Sequence, residues 1–266
     1  MFKGFYTAAS GMLAQQRKTE MLSNNMANVR TPGYKADQAS LRAFPQMLLQ
    51  RLDAASIPTD DPLRLTSRRQ IGTLNTGVYL QELTPSFVQG DLRETGLKTD
   101  LALLNGPGGT AFFTVEQNGE LKYTRNGSFT LDPSGYLTVG DGSYVLSREG
   151  ARIRLSSDQF TVGADGVIME NGVRAAQLGL AESDNPEGLV REGNGLFRTE
   201  DNAPLPALAG GAEIRQGFLE ASNVDASRTM TDMLTAYRTF EANQKLVQAY
   251  DRSMEKAVNE IGRVNG

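Results

Sequence analysis

Carboxylates and hydroxyls are the only side chains in this sequence whose type and spacing could support catalysis. The chain contains no His and no Cys, which excludes imidazole and thiolate metal ligands, cysteine nucleophiles and every imidazole-based triad. Asp60-Asp61, Asp184 and Glu187 could be considered as a glycosidase pair, which needs two carboxyls facing a sugar. These residues stand in polar loops beside Pro, where they are explained as solvated turn residues. We therefore expect no enzyme, no cofactor and no metal site.

The glycine-rich segment Gly106-Pro107-Gly108-Gly109 is a second candidate for ligand chemistry. A phosphate-binding loop would be followed by Lys and then Ser or Thr at the start of a helix, and neither is present here. We expect a hairpin turn or a bulge at this place.

The charge balance and the hydropathy pattern exclude two kinds of partner. Lys and Arg number 27 against 31 Asp and Glu, so the net charge is slightly negative and nucleic-acid binding is not expected. No run of about 18 apolar residues occurs, so no membrane span is predicted. The start, Met1 to Tyr6, lacks the basic and apolar regions of a secretory signal peptide, so export would need another route.

The first 29 residues predict an amphipathic helix of about seven turns. Its apolar stripe is weak in the middle and includes Phe5, Met12, Leu22 and Met26. Thr31-Pro32-Gly33 then breaks the pattern, because Pro moves the preceding residue out of the helical region and Gly accepts a positive φ. The helix should end near Asn28.

Three amides, Asn24, Asn25 and Asn28, lie at this predicted helix end. Asn suits a helix C-terminus, so simple capping is one interpretation. Asn24 and Asn28 are four residues apart and share a face, so hydrogen bonding to a neighbouring backbone is the other. The spacing leaves both open.

Residues 35–75 are ambiguous. Leu41, Phe44, Met47, Leu48 and Leu52 could form a short helix, whereas Pro58-Thr59-Asp60-Asp61-Pro62 predicts a loop. From Gly77 onward the chain contains strand-like pieces, which lead to Asp100-Leu101-Ala102-Leu103.

Turn signals at regular intervals predict an antiparallel β domain in the middle of the chain. Asn118-Gly119, Asn126-Gly127, Ser134-Gly135 and Asp141-Gly142 follow one another at seven or eight residues. Short β-rich runs separate them, as in consecutive hairpins.

The segment after Ser222 predicts a second long helix. Asn223 and Asp225 stand at its start, where their side chains suit N-capping. Apolar residues then recur every seven residues over five repeats, which is a heptad seam: Met233, Phe240, Val247, Met254 and Ile261.

The second position of this seam is less regular. Tyr237 and Val258 support it, whereas polar Gln244 and Asp251 interrupt it. This pattern favours packing against more than one neighbour over a simple two-stranded coiled coil. At 1.5 Å per residue the helix would run about 60 Å, which exceeds the expected width of the β domain and favours contacts with other molecules.

The fold class that we predict is α+β. The N- and C-terminal helices form a coiled-coil-like helical layer, and an antiparallel all-β domain lies between them in the sequence. The domains are an N-terminal assembly helix (1–34), a linker and extension entering the sheet (35–99), the central β domain (100–216) and a C-terminal assembly helix (217–266).

Several segments resemble the flagellar hook and basal-body rod proteins of bacteria, and the resemblance extends over nearly the whole chain. The rod signature is carried by Ala9-Ser10-Gly11-Met12-Leu13-Ala14-Gln15-Gln16 and Ser23-Asn24-Asn25-Met26-Ala27-Asn28-Val29-Arg30-Thr31-Pro32-Gly33-Tyr34. Further matches are Gln89-Gly90-Asp91-Leu92, Tyr123-Thr124-Arg125-Asn126-Gly127, Gly217-Phe218-Leu219-Glu220-Ala221-Ser222-Asn223-Val224-Asp225 and Arg238-Thr239-Phe240-Glu241. The length and motif order are most similar to the proximal and distal rod subunits, including those of Gram-positive bacteria.

The resemblance implies a structural subunit that polymerises into a hollow helical drive shaft, which transmits torque and passes exported subunits. It implies export through the flagellar type III apparatus without cleavage, location in the basal body across the cell envelope, and proximity to peptidoglycan or ring proteins. Its partners would be copies of itself and other rod and hook subunits. The alternatives are a hook-type axial protein, a surface adhesin with a coiled-coil stalk and a β head, and a wall hydrolase.

Self-assembly residues are expected at both ends of the chain. They are Phe5, Met12, Gln15, Leu22, Asn24, Asn25, Met26, Asn28, Asn223, Asp225, Met233, Tyr237, Phe240, Val247, Met254 and Ile261.

Overall fold

The structure, a computed structural model, describes residues 3–57, 63–106, 109–208 and 211–263. Within these ranges the chain forms two α-helices and 19 strands, and the fold class is α+β as predicted. The chain divides into two units. We call them the helical unit (Met1–Ser23, Ala39–Leu83 and Met230–Gly266) and the β unit (Asn24–Gln38 and Thr84–Thr229).

The helical unit takes most of its residues from two helices and four strands. These are α1 (Lys3–Ala27), α2 (Ala226–Arg263), β1 (Asp37–Ala43), β2 (Met47–Ile57), β3 (Leu63–Leu74) and β4 (Val78–Pro85). β1 pairs with β4, and β2 pairs antiparallel with β3 along its whole length. The short helix considered for Leu41 to Leu52 is therefore wrong. Met47, Leu48 and Leu52 pair with Leu74, Thr73 and Arg68, and β1 pairs with the still later β4. Local spacing did not reveal these partners. The predicted loop Pro58–Pro62 lies outside the described residues.

α1 and α2 run antiparallel within the helical unit and contact each other through small residues of α1. A Cβ placed on Gly4 would collide with the ring of Tyr250, and one on Gly11 would lie 3.0 Å from the Asn243 amide nitrogen. Glycine thus permits the close approach of these α2 side chains. Near the other end of α1, a small apolar cluster contains Met21, Leu22, Ala39, Met233 and Ala236.

The remaining strands belong to the β unit. They are β5 (Leu92–Glu94), β6 (Leu101–Leu104), β7 (Thr110–Gln117), β8 (Glu120–Thr124), β9 (Phe129–Leu131), β10 (Leu137–Val139), β11 (Tyr144–Val145), β12 (Phe160–Val162), β13 (Val167–Glu170), β14 (Val173–Gln177), β15 (Leu180–Ser183), β16 (Val190–Arg191), β17 (Leu196–Arg198), β18 (Glu213–Gln216) and β19 (Phe218–Glu220). The main sheet has the order β16-β17-β8-β7-β11-β10-β9, and β15 also pairs with β7. β12, β13 and β14 form a separate meander, β18 pairs with β6, and β19 pairs with β5.

The main hydrophobic core lies in the β unit. Its centre is fully buried and includes Leu101, Phe113, Val115, Leu137, Val145, Phe160 and Ile168. A second cluster stacks the rings of Phe87, Phe112 and Phe197 at centroid distances between 5.3 and 5.8 Å. Burial does not alternate along the central strands: Leu101 to Leu103 of β6, Thr110 to Phe113 of β7 and all of β10 are buried. These strands are therefore covered on both faces.

Three of the four predicted hairpins are confirmed. The turns at Asn118-Gly119, Ser134-Gly135 and Asp141-Gly142 join β7 to β8, β9 to β10 and β10 to β11, and each pair is antiparallel. The hairpin predicted at Asn126-Gly127 is wrong, because β8 and β9 are not neighbours in the sheet. Glycine is needed there for a different reason, since a Cβ on Gly127 would overlap the carbonyl oxygen of Leu101. In the predicted Gly106–Gly109 turn, Pro107 and Gly108 lie outside the described residues.

Candidate assembly surfaces

Large apolar side chains remain exposed on the two long helices of the helical unit. On α2, Met230, Leu234 and Tyr237 are 47%, 48% and 54% exposed. Their spacings of four and three residues put them on one face of the helix, and we call them the α2 row. On α1, Tyr6 and Leu13 are 65% and 52% exposed and lie seven residues apart. Exposed apolar rows of this kind mark surfaces that another molecule can cover.

Part of the heptad seam of α2 is covered by contacts within the same subunit. Met233, Phe240, Val247 and Met254 are half-buried, and the surroundings of the Ile261 side chain lie outside the described part. The second seam position falls one residue earlier than predicted: Ala236 is buried, and Asn243 and Tyr250 contact the glycines of α1. Tyr237, Gln244, Asp251 and Val258 are exposed instead. The polar residues that seemed to interrupt the seam therefore lie on the exposed side of the helix.

The predicted assembly residues of α1 divide between interior and surface. Leu22 belongs to the apolar cluster, whereas Phe5, Met12, Gln15 and Met26 are half-buried. Their contacts with other subunits stay a prediction.

The three amides at the end of α1 form hydrogen bonds within the β unit. Asn25 is 4% exposed, and its side chain donates to the carbonyl of Asp37 and accepts from the amide of Asp37, both at 2.9 Å. Asn24 accepts from the Tyr34 hydroxyl at 2.8 Å. Asn28 donates back to the carbonyl of Asn24 at 2.9 Å, which is a capping interaction. Asn25 thus fastens the helix end to the chain that follows it, while Asn24 keeps an exposed side chain.

Asn223 and Asp225 order the chain before α2. Asn223 accepts from the amide of Ala36 at 2.7 Å and donates to the carbonyls of Ser86 and Val88 at 2.8 and 3.1 Å. Asp225 accepts from the amides of Ser227 and Arg228, so it is the N-cap that the sequence predicts.

A buried charge cluster connects three of the motif segments inside the β unit. Glu220 accepts from Lys35 at 2.6 Å through one carboxylate oxygen and from Arg125 at 2.6 and 2.8 Å through the other. The three side chains are at most 1% exposed. Arg125 also donates to the carbonyls of Leu103 and Ala111. We call Lys35, Arg125 and Glu220 the charge cluster.

The charge cluster contains two cations and one anion away from water. Burial lowers the pKa of Lys35, and the Glu220 carboxylate opposes this shift. Burial also lowers the pKa of Arg125, and the same carboxylate opposes it. Both shifts follow from the cost of a charge in a medium of low polarity. Glu220 is therefore the counter-ion on which both cations depend.

Arg191 makes a second ionic contact beside Tyr34. Its guanidinium lies 2.6 Å from the Asp37 carboxylate and 4.5 Å from the centre of the Tyr34 ring. Burial raises the pKa of Asp37, and Arg191 offsets part of that rise.

Sequence reasoning missed the roles of Lys35, Arg125 and Glu220. Each of them stands in or directly beside a motif segment and close to a strand of apolar residues. A charged residue in such a position could have indicated a buried ion pair. Their partners, however, lie up to 185 residues apart.

The carboxylates considered for catalysis do not form a site in the described part of the chain. Asp184 and Glu187 are exposed, and Asp60-Asp61 lie outside the described residues. In the described ranges, no group of three or more acidic side chains is placed to hold a metal ion. Nor is any helix in them long and apolar enough to cross a membrane.

Long helices with exposed apolar rows, in a chain whose β unit is held by buried polar contacts, define a structural assembly subunit. Three family models match separate parts of this chain. "Flagella basal body rod protein" matches residues 5–35, "Flagellar hook protein FlgE/F/G D1 domain" matches 108–170, and "Flagellar basal body rod FlgEFG protein C-terminal" matches 215–260.

Relatives match along their full length. The chain is 44% identical to the flagellar hook-basal body complex protein FlhO of Bacillus subtilis (strain 168), covering 99% of this chain and 100% of the relative. It is 31% identical to the flagellar basal-body rod protein FlgF of Caulobacter vibrioides, covering 100% of both. It is 30% identical to the flagellar basal-body rod protein FlgG of Bacillus subtilis, covering 97% and 99%. The chain belongs to the family of flagellar basal-body rod proteins.

Proposed function

We propose that the chain polymerises into a hollow helical rod that serves as a drive shaft of the flagellum. Heterologous contacts, in which two different surfaces of one subunit meet, build an open helix when their rotation does not close a ring. The observation that carries the proposal is the α2 row together with Tyr6 and Leu13 of α1, all of which are exposed. Covering these side chains with neighbouring helices would remove apolar area from water at about 25 cal/mol per Å².

The helices of neighbouring subunits would pack into a coiled-coil-like layer around the channel. α2 has 38 residues, or about 57 Å at 1.5 Å per residue, which is long enough to contact several neighbours. Packed helices of this length would give the shaft the stiffness that torque requires. The names of the relatives support this role, since each denotes a component of the rod or the hook-basal body complex.

The proposed partners are copies of this chain and other rod and hook subunits. Delivery would use the flagellar export apparatus without a cleaved signal peptide, and the assembled rod would cross the cell envelope close to peptidoglycan or ring proteins. The proposed role is mechanical and includes no catalytic step.

The test places one negative charge on the α2 row. Tyr237→Asp should leave the folded subunit intact, because the side chain is 54% exposed and exposed substitutions usually change stability by less than about 0.5 kcal/mol. In the assembled rod, the same charge would be buried without a partner at a cost of several kcal/mol. We expect normal export, no incorporation into purified basal bodies and loss of swimming.

Thr239→Asp is the matched control. It adds the same charge two residues further along α2, on the opposite side of the helix, and Thr239 is also exposed. We expect incorporation close to that of the natural chain. Full incorporation of Tyr237→Asp, or equal loss with both variants, would contradict an assembly contact through the α2 row.

A further inference from the structure

An open cleft in the β unit is lined by arginines that the assembly proposal does not use. It lies between residues 147–154 and β14 and has a volume of about 590 Å³. Its basic lining residues are Arg148, Arg152, Arg154 and Arg174, and its acidic one is Glu149. The chain as a whole has a net charge of −4, so this cleft is a local basic surface on an acidic protein.

Three of these arginines, Arg148, Arg154 and Arg174, have no carboxylate partner among the described residues. Arg152 makes a two-pronged contact with Glu116 at 2.7 and 2.9 Å, and Arg154 donates to the carbonyl of Ser134. Arg174 donates to the side-chain oxygen of Gln177 at 3.0 Å, and Arg148 is exposed. The planar guanidinium binds carboxylates through two parallel hydrogen bonds, so Arg148 and Arg174 suit an acidic ligand.

The other side of the cleft is formed by the edge of a sheet. β14 pairs with β13 on one side. On its other side, within the described ranges, it receives a single backbone hydrogen bond, from the amide of Arg148 to the carbonyl of Gln177 at 2.9 Å. Residues 173–176 therefore present an edge that no described strand covers. An open edge of this kind can accept one more strand through main-chain hydrogen bonds.

We propose that this cleft binds an extended, acidic polypeptide segment as an added strand on β14. The main chain of the segment would pair with the β14 edge, and its carboxylates would contact Arg148 and Arg174. Side chains on one side of a strand recur every second residue, so alternating acidic residues would all face the arginines. A polypeptide fits better than an anionic glycan or polyphosphate, because the edge offers directional backbone pairing that those polymers cannot use.

The probe is a fluorescently labelled eight-residue peptide of alternating Glu and Val, titrated with the full-length protein at low salt. We expect saturable binding. Arg148→Gln and Arg174→Gln should each weaken it about tenfold, because each removes a charge-assisted hydrogen bond. Arg215→Gln is the matched control, since Arg215 is an exposed strand arginine that does not line this cleft. It should bind as the natural chain does.

Two further peptides separate backbone pairing from charge alone. They have the same sequence and carry N-methyl groups at either the odd or the even residues, which removes main-chain donors along one edge. We expect one of them to lose binding at least tenfold. If both peptides bind equally well and polyphosphate displaces them, the cleft is a general polyanion site and the proposal is wrong. The proposal is also wrong if the unmodified peptide shows no binding up to a protein concentration of about 1 mM.

Discussion

Replacing Glu220 by Gln should lower the free energy of unfolding of the β unit by about 3–5 kcal/mol, the usual cost of breaking a buried ion pair from one side. The substitution keeps the shape of the side chain but removes the anion that contacts both Lys35 and Arg125. Two cations would then be buried without a counter-ion. Urea unfolding followed by circular dichroism measures the change.

Two variants make this prediction specific. Lys35→Met removes a buried cation but leaves the Arg125–Glu220 pair balanced, so its cost should be clearly smaller than that of Glu220→Gln. Glu213→Gln alters an exposed glutamate of β18 and should change stability by less than about 0.5 kcal/mol. If Glu220→Gln is no more harmful than Glu213→Gln, or if Lys35→Met is the most harmful, the charge cluster does not hold the β unit in the way that we describe.

Replacing Gly127 by Ala should destabilise the β unit by about 3 kcal/mol, at the upper end of the usual range for overpacking. The added methyl group would overlap the carbonyl oxygen of Leu101. The amide of Leu101 donates to the carbonyl of Gly127 at 3.0 Å, so the two backbones cannot separate without losing a buried hydrogen bond. Thermal unfolding of the variant should show a lowered melting temperature.

Gly140→Ala is the control for this substitution. Among the described residues, no atom beyond its chain neighbours lies within 4 Å of a Cβ built on Gly140, and its φ is not positive. We expect its stability to stay within about 0.5 kcal/mol of the natural chain. A Gly127→Ala protein as stable as Gly140→Ala would show that the two backbones are further apart than described.

The sequence predicted those parts of the fold that depend on local chemistry. The end of α1 was predicted from Thr31-Pro32-Gly33, because Pro restricts the residue before it and Gly accepts the positive φ that follows a helix. Asp225 placed the start of α2 through its capping side chain. Asn118-Gly119 placed the first hairpin, since both residues adopt the positive φ that a tight hairpin turn needs.

The parts that sequence reasoning missed depend on distant partners. The strands near Leu41 and Leu48 have apolar spacings that fit a helix equally well, and pairing with a later segment decides between the two. Asn126-Gly127 has the composition of a hairpin turn, but the neighbours of β8 in the sheet are β7 and β17. Local propensity cannot specify such pairings.

The sequence predicted that the two helices carry an assembly surface, but it did not predict which of their side chains are exposed. A heptad spacing identifies a packing face, yet an error of one residue moves a side chain by about 100° around the helix. Tyr237 was assigned to the heptad seam, and it lies on the exposed α2 row, beside the seam positions that face α1. Asn25 and Asn223 bind backbone groups inside the β unit, which spacing alone gave no signal for. Their contacts with other subunits stay a prediction.

Electron microscopy of the purified full-length protein at high concentration tests whether the subunit contacts are heterologous and do not close into a ring. We predict helical filaments with a central channel, and we predict that Tyr237→Asp remains monomeric under the same conditions. Closed trimers or other symmetric particles of fixed size would contradict this prediction and would favour a stalk-forming surface protein. Filaments formed equally well by Tyr237→Asp would also contradict it, because the α2 row would then not be part of the contact.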